Sequence, residues 1–335
     1  MPGGPQPPGI AQVRNQLLVH HLSKEVPLVR RRDFITHGTL AAAAALTLPS
    51  SIAAAQTAAP AAKKPARFKL KYAPSLGQFK TLGGTDITAQ IQFVADQGFT
   101  AMFDNGIMNR PVEQQDLIVR ELDRRGLTLG PFVLYAEFSR KNFVLRDKET
   151  REMLLQKMKQ GLDTMARTGC KQALVVPGRY DESLAWDYQT ANVVENLRAC
   201  MDVCLPKGLV IVLEPLNPKN HPGLFLTKIP QAYAICKAVN SPSCKILNDM
   251  YHQQITEGNL IPNIEAAWDE IAAFHIGDNP GRNEPTTGEI NYRNIFKWIH
   301  AKAYDGVLCM EHGQSKPGKE GEQAVIDAYR ACDQF

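Results

Sequence analysis

"GLVIVLEPLNPKNHPGLFLTKIPQAYAICKAVNSPSCKILND", residues 208–249, decides the fold. An apolar, β-branched run (Leu209–Leu213) stops at Glu214-Pro215 and gives way to a polar loop punctuated by Pro and Gly. The amphipathic segment "IPQAYAICKAV" follows, and then a second short apolar run, "KILND". Short continuous apolar runs read as strands buried on both faces, and a helix between two of them makes a parallel β–α–β unit.

The same unit repeats outward in both directions. Candidate strands are "FKLKYA" (68–73), "TAMFD" (100–104), "LTLGPFVLY" (127–135), "QALVVP" (172–177), "LVIVLEP" (209–215), "KILND" (245–249), "AAFHIGD" (272–278) and "GVLCMEH" (306–312). Eight amphipathic segments lie among and after them, several ending in Gly just before the next strand, the expected helix C-cap. Eight strands and eight helices in about 270 residues match an α/β (β/α)₈ TIM barrel. A doubly wound sheet would need a Gly-rich phosphate turn after the first strand, and "PSLGQF" is not one.

The N-terminal region reads differently. Arg31-Arg32 precede Phe34-Ile35, an Ala/Leu-rich stretch and Ala53-Ala54-Ala55. That is the pattern of a twin-arginine signal peptide with a small-residue cleavage site. The expected organisation is a signal region over 1–55, a Pro/Ala/Lys linker over 56–66 and a single barrel domain over 67–335, exported to the periplasm. Cleavage after Ala55 leaves 280 residues with net charge +1 in place of +4. That near-neutral chain offers no nucleic-acid footprint and no membrane span. The seven cysteines (Cys170, Cys200, Cys204, Cys236, Cys244, Cys309, Cys332) match no zinc spacing and require no disulfide framework.

In such a barrel, chemistry sits at the C-terminal ends of the strands. There the fifth candidate strand meets Glu214, the sixth Asp249, the seventh His275 and the eighth Glu311. Any one of these has a plain reading as a solvated strand end or a satisfied core histidine. Four on one rim do not, because clustered carboxylates repel unless a cation holds them. Three carboxylates and an imidazole suit Mn²⁺ or Mg²⁺, with Co²⁺ or Zn²⁺ also compatible.

The segments "EPLNPKNHPGLFL", "NDMYHQQITEGNL", "HIGDNPGRNEPTTGEINY" and "YDGVLCMEH" closely resemble the hydroxypyruvate isomerase family, within the xylose isomerase-like superfamily of sugar isomerases and epimerases. The resemblance spans roughly 209–312. It implies that Glu214, Asp249, His275 and Glu311 ligate the metal, that Glu214 and Glu311 also form the acid/base pair, and that His252 and Arg282 hold substrate oxygens. Two departures stand out. Hydroxypyruvate isomerases usually carry Gln at the position of His275, and related ketose 3-epimerases use His there. Residues 67–208 also match weakly, with Phe103 and Asp104 where the family has a strand-end Glu.

The implied chemistry is proton transfer beside a carbonyl through an enediolate, with the metal stabilising the developing charge. The expected activity is that of a hydroxypyruvate isomerase-like enzyme on a small hydroxy-carbonyl compound. A ketose 3-epimerase or other sugar isomerase is the alternative, and an exported sugar-binding protein without turnover a weaker one. A barrel endonuclease would need additional histidines and a basic groove. Homo-oligomerisation is compatible with the sequence, which does not specify it.

Overall fold

Side chains alternate across a strand, so a buried barrel strand sends every second residue inward and the others toward the helices. The computed structural model describes residues 65–335. The signal region expected over 1–55, and most of the linker expected over 56–66, lie outside the described residues.

Nine parallel strands run in the order β1 (Lys71–Pro74), β2 (Ala101–Met102), β3 (Thr128–Leu129), β4 (Phe132–Ala136), β5 (Gln172–Val176), β6 (Val210–Leu213), β7 (Cys244–Asp249), β8 (Ile271–His275) and β9 (Val307–Met310). Seven form one sheet in the order β1-β9-β8-β7-β6-β5-β4, and β2 pairs with β3. Backbone bonds beyond the strands complete the ring. Phe103 N–H donates to Pro74 O (3.1 Å), and Val133 N–H donates to Asn105 O (3.1 Å). Those two bonds tie the β2 end to both neighbours, and the expected barrel is the observed one.

The expected third strand, 127–135, is broken into β3 and β4 at Gly130-Pro131. Proline has no N–H to give a ladder, so pairing stops there. Gly130 is needed for space: a Cβ would lie 2.9 Å from Phe103 Cβ and 3.1 Å from Cys309 Sγ, inside the barrel. Gly130→Ala is therefore expected to cost about 1–3 kcal/mol, read as a lower denaturation midpoint with an unchanged slope.

Helices α1 (Ile87–Asp96), α2 (Val112–Arg125), α3 (Lys148–Thr168), α4 (Trp186–Cys204), α5 (Ile229–Val239), α6 (Met250–Thr256), α7 (Leu260–Ala266), α8 (Tyr292–Ala301) and α9 (Gly318–Cys332) accompany the strands. The outward residues of the strands, such as Ile211, Leu213, Ile246, Phe274 and Leu308, join the large core with them. Inward residues form separate clusters: Leu174, Val176, Val212, Leu247 and Ala273 in one, Ala73, Ala101, Phe103, Val307 and Cys309 in the other. Helix α6 was not expected from sequence. It is short, and Asp249 starts it by accepting from Tyr251 N–H (2.8 Å) and His252 N–H (3.2 Å).

All seven cysteines are buried free thiols, with Cys236 and Cys244 Sγ 3.9 Å apart. No helix among the described residues is long and apolar enough to cross a membrane.

Candidate metal centre

The inward alternation continues past the apolar layers. Val212, Leu247, Ala273 and Cys309 face the barrel axis, and two residues further along each chain come Glu214, Asp249, His275 and Glu311. Ladder pairing sets Asp249 opposite His275 and His275 opposite Cys309, two residues before Glu311. One ligand-capable atom from each of the four lies within 4.8 Å of the others. The structure thus brings together all four residues that the sequence singled out as ligands.

His275 is fully buried, and its Nδ1 lies 3.1 Å from Glu214 Oε1 and 3.0 Å from Glu311 Oε2. Arg282 joins the group: one Nη2 donates to Asp249 Oδ2 (2.7 Å) and to Glu311 Oε2 (2.6 Å). A surface ion pair with Glu284, two positions away, would be the plain reading of Arg282 in sequence. Glu284 is instead buried and accepts from Ser315 N–H and Oγ–H. His252 is also buried, with Nε2 3.6 Å from Asp249 Oδ2. Its Nδ1 faces Asn217, which offers its backbone N–H (3.3 Å) and lies within 2.6 Å through its side-chain amide.

Burial and crowding set the electrostatics. Burial pushes the Glu214 carboxyl up to about 7, against the hydrogen bond from His275. Burial also opposes charge on Glu311, yet His275 and Arg282 outweigh it and hold that carboxyl at about 2. For His275 burial disfavours the proton, but the Glu311 charge and the bonds around the ring carry it well above the ordinary imidazole range. Burial lowers His252 to about 4, which leaves a neutral imidazole at neutral pH. Three carboxyl groups crowded with one imidazole leave a site that attracts positive charge. As a donor set of oxygens with one imidazole nitrogen, it fits a hard or borderline divalent ion.

The segment after β8 is built around Asp278, which is fully buried. Its carboxylate accepts from the backbone N–H of Asn279 (2.9 Å), Gly288 (2.9 Å) and Ile290 (3.1 Å). Gly288 has no room for a side chain, since a Cβ would fall 2.2 Å from Asn279 O. Arg282 sits at φ +50°, a region costly for a non-glycine residue. Its N–H donates to Asp278 O and its carbonyl accepts from Gly313, both at 2.8 Å, and these bonds hold it there. The guanidinium also lies over the Tyr251 ring, 4.9 Å from the centroid. Asp278 thus shapes the loop that carries Arg282.

Asn105 was missed from sequence. Its Nδ2 donates to Glu311 Oε1 (2.6 Å) from the end of β2. The signal was available: Ala101 and Phe103 point inward, so the same alternation aims Asn105 at the site. The Asp-Asn-Gly turn signal hid it. Lys219 is exposed, the His221 ring lies 5.4 Å from the His252 ring, and His312 Nε2 lies 3.0 Å from Tyr329 Oη.

A cavity of about 520 Å³ opens at this level, lined by Ser75, Phe103, Asn105, Arg282, Glu311 and His312 among others. Another of about 410 Å³, lined by Leu127, Thr128, Lys171, Gln172 and Asp305, lies among the starts of the strands and holds none of the candidate ligands.

Comparison with known proteins follows the same lines. The family model described as "Xylose isomerase-like TIM barrel" matches residues 91–332. The chain belongs to the xylose isomerase-like TIM barrel family. Within it, hydroxypyruvate isomerase of Escherichia coli K12 is 34% identical over 164 residues, 48% of this chain and 62% of the relative. The 2-oxo-tetronate isomerase of Cupriavidus necator is 33% identical over 122 residues, 36% of this chain and 47% of the relative. The matches thus span about half to two-thirds of these relatives. Among solved structures, a 3-keto-D-glucoside 4-epimerase from E. coli aligns with TM-score 0.65 at 19% identity, covering 79% of this chain and 100% of the other. At that identity it speaks for the fold.

Proposed function

We propose that this protein is a metal-dependent isomerase that moves a proton beside the carbonyl of a small hydroxy-carbonyl compound, as hydroxypyruvate isomerases do. The observation that carries the reading is the convergence of Glu214, Asp249, His275 and Glu311, with ligand atoms within 4.8 Å of one another at a barrel mouth. Relatives named hydroxypyruvate isomerase and 2-oxo-tetronate isomerase support it.

These four residues would hold the divalent ion, Mn²⁺ or Mg²⁺ by donor type, and the ion would supply Lewis-acid polarisation of the substrate carbonyl. Glu214 and Glu311 both approach His275 Nδ1, at 3.1 and 3.0 Å. One takes the proton from the carbon next to the carbonyl. The other returns a proton, to the adjacent carbon for isomerisation or to the opposite face of the same carbon for epimerisation. Arg282, always charged, offers N–H groups to a substrate carboxylate or hydroxyl pair, and neutral His252 offers a donor or acceptor to a hydroxyl.

Two observations favour a ketose epimerase or other sugar isomerase as the alternative. His275 replaces the Gln usual in hydroxypyruvate isomerases, and the cavity of about 520 Å³ is large for a three-carbon acid. Export by the twin-arginine route remains part of the proposal, because Arg31-Arg32 and Ala53-Ala54-Ala55 support it.

The test is solvent-deuterium incorporation followed by NMR. Chelator-treated protein is assayed before and after reloading with Mn²⁺ or Mg²⁺, on hydroxypyruvate, 2-oxo-tetronate and D-fructose. Metal-dependent exchange at a carbon beside the carbonyl is expected, and the exchanging substrate separates the two readings. Metal-loaded protein that exchanges none of them would remove the isomerase assignment.

A further inference from the structure

We infer that Asn105 is a positioning residue for Glu311, kept for the metal centre at a cost to stability. The inference builds on the proposed metal centre and assigns a residue outside its ligand set.

Three observations carry it. Asn105 Nδ2 donates to Glu311 Oε1 at 2.6 Å, and Glu311 Oε2 faces His275 Nδ1 (3.0 Å) and Arg282 Nη2 (2.6 Å). The two carboxylate oxygens are thereby divided: Oε1 is fixed by an amide, while Oε2 is turned toward the ligand cluster. Without Asn105 the Glu311 side chain could rotate its oxygens toward either partner.

The second observation concerns the other end of the amide. Asn105 Oδ1 is buried and has no hydrogen-bond partner among the described residues. An asparagine retained for stability satisfies both ends, because a buried acceptor without a donor costs folding free energy. Asn105 cannot relieve this by flipping, since flipping would set its oxygen against the Glu311 carboxylate.

The third is backbone support. Asn105 O accepts from Val133 N–H (3.1 Å), which anchors the residue to β4. The preceding Asp104 accepts from Gly106 N–H (3.1 Å) and pairs with Arg110. The turn carrying the amide is thus braced on both sides while one end of its side chain goes unsatisfied.

The experiment uses the full chain, with Asn105→Ala, Glu311→Ala and the double variant. Mn²⁺ affinity is measured by titration calorimetry, and thermal midpoints are taken in chelator. Losing a group that orients a ligand typically weakens metal binding roughly 10–100-fold. Asn105→Ala is expected to weaken Mn²⁺ binding by that factor in the wild-type background and by little in the Glu311→Ala background, since Asn105 acts through Glu311.

An equal loss of Mn²⁺ affinity in both backgrounds would overturn the coupling. A lowered midpoint with unchanged affinity would make Asn105 a structural residue and overturn the inference. Wild-type protein that binds no Mn²⁺ would overturn the metal centre itself, and this inference with it.

Discussion

Glu311→Gln is expected to slow proton exchange by about 10²–10⁴-fold, the usual worth of a positioned acid or base. Glutamine keeps the size of the side chain and an oxygen for the ion, but it cannot accept the proton. The same substitution at Glu214 is expected to be as damaging, for a different reason. Glu214 is the carboxyl that burial lifts to about 7, so it can carry a proton at neutral pH and return it. In the metal-free site Glu311 is held at about 2 by His275 and Arg282 despite its burial. The check is the deuterium exchange rate of each variant at saturating Mn²⁺, with bound metal quantified in parallel. A rate within about threefold of wild type, below one-tenth of what a base supplies, would remove that glutamate from the mechanism.

The second large effect is on stability. Glu214, Asp249 and Glu311 place three carboxyl groups in a tight cluster with His275 and Arg282. An ion that binds the folded chain alone stabilises it by about 2.7 kcal/mol at one hundred times its Kd. For a domain of this size that corresponds to roughly 5–10 °C in Tm. Asp249→Asn is the informative variant. Asn retains a side-chain oxygen that can accept from the backbone N–H groups of Tyr251 and His252, as Asp249 Oδ1 does, while removing the anionic ligand. The Mn²⁺-dependent rise in Tm is expected to vanish in Asp249→Asn, although the chelated variant still unfolds cooperatively. A full rise in that variant would show that the ion binds elsewhere.

Much of this was legible in the sequence because the barrel imposes two simple rules. Apolar runs of four to six residues, bounded by Pro, Gly and charge, give buried strands, and the first polar residue past the run marks the active rim. On β6 through β9 they pointed to Glu214, Asp249, His275 and Glu311, which the structure brings together, although Asn248 stands between the apolar run and Asp249. They worked less well where tertiary packing overrode local pattern. "LTLGPFVLY" reads as one strand, yet Pro131 has no N–H to pair, so the strand divides at Gly130-Pro131. Helix α6 has only seven residues and depends on the Asp249 cap, a side chain that reads first as a ligand. Asn105 escaped because β2 is two residues long and leaves too little periodicity to fix which way its end points. The pairing of Arg282 with Asp249 and Glu311 joins residues 33 and 29 positions apart, a relation that spacing alone does not encode.

The bonds around Asp278, Arg282 and Glu284 have one more consequence. Asp278 gathers residues 279–290 into a closed knot, Arg282 O receives Gly313 N–H, and Glu284 receives Ser315. The stretch after β8 and the stretch after β9 are therefore one module, stitched across two barrel units. Evolution cannot trade one for a relative's version without stranding the donors of the other. Anyone recombining this barrel to alter its substrate should cut outside both, carrying residues 277–291 and 311–316 together as the unit of exchange.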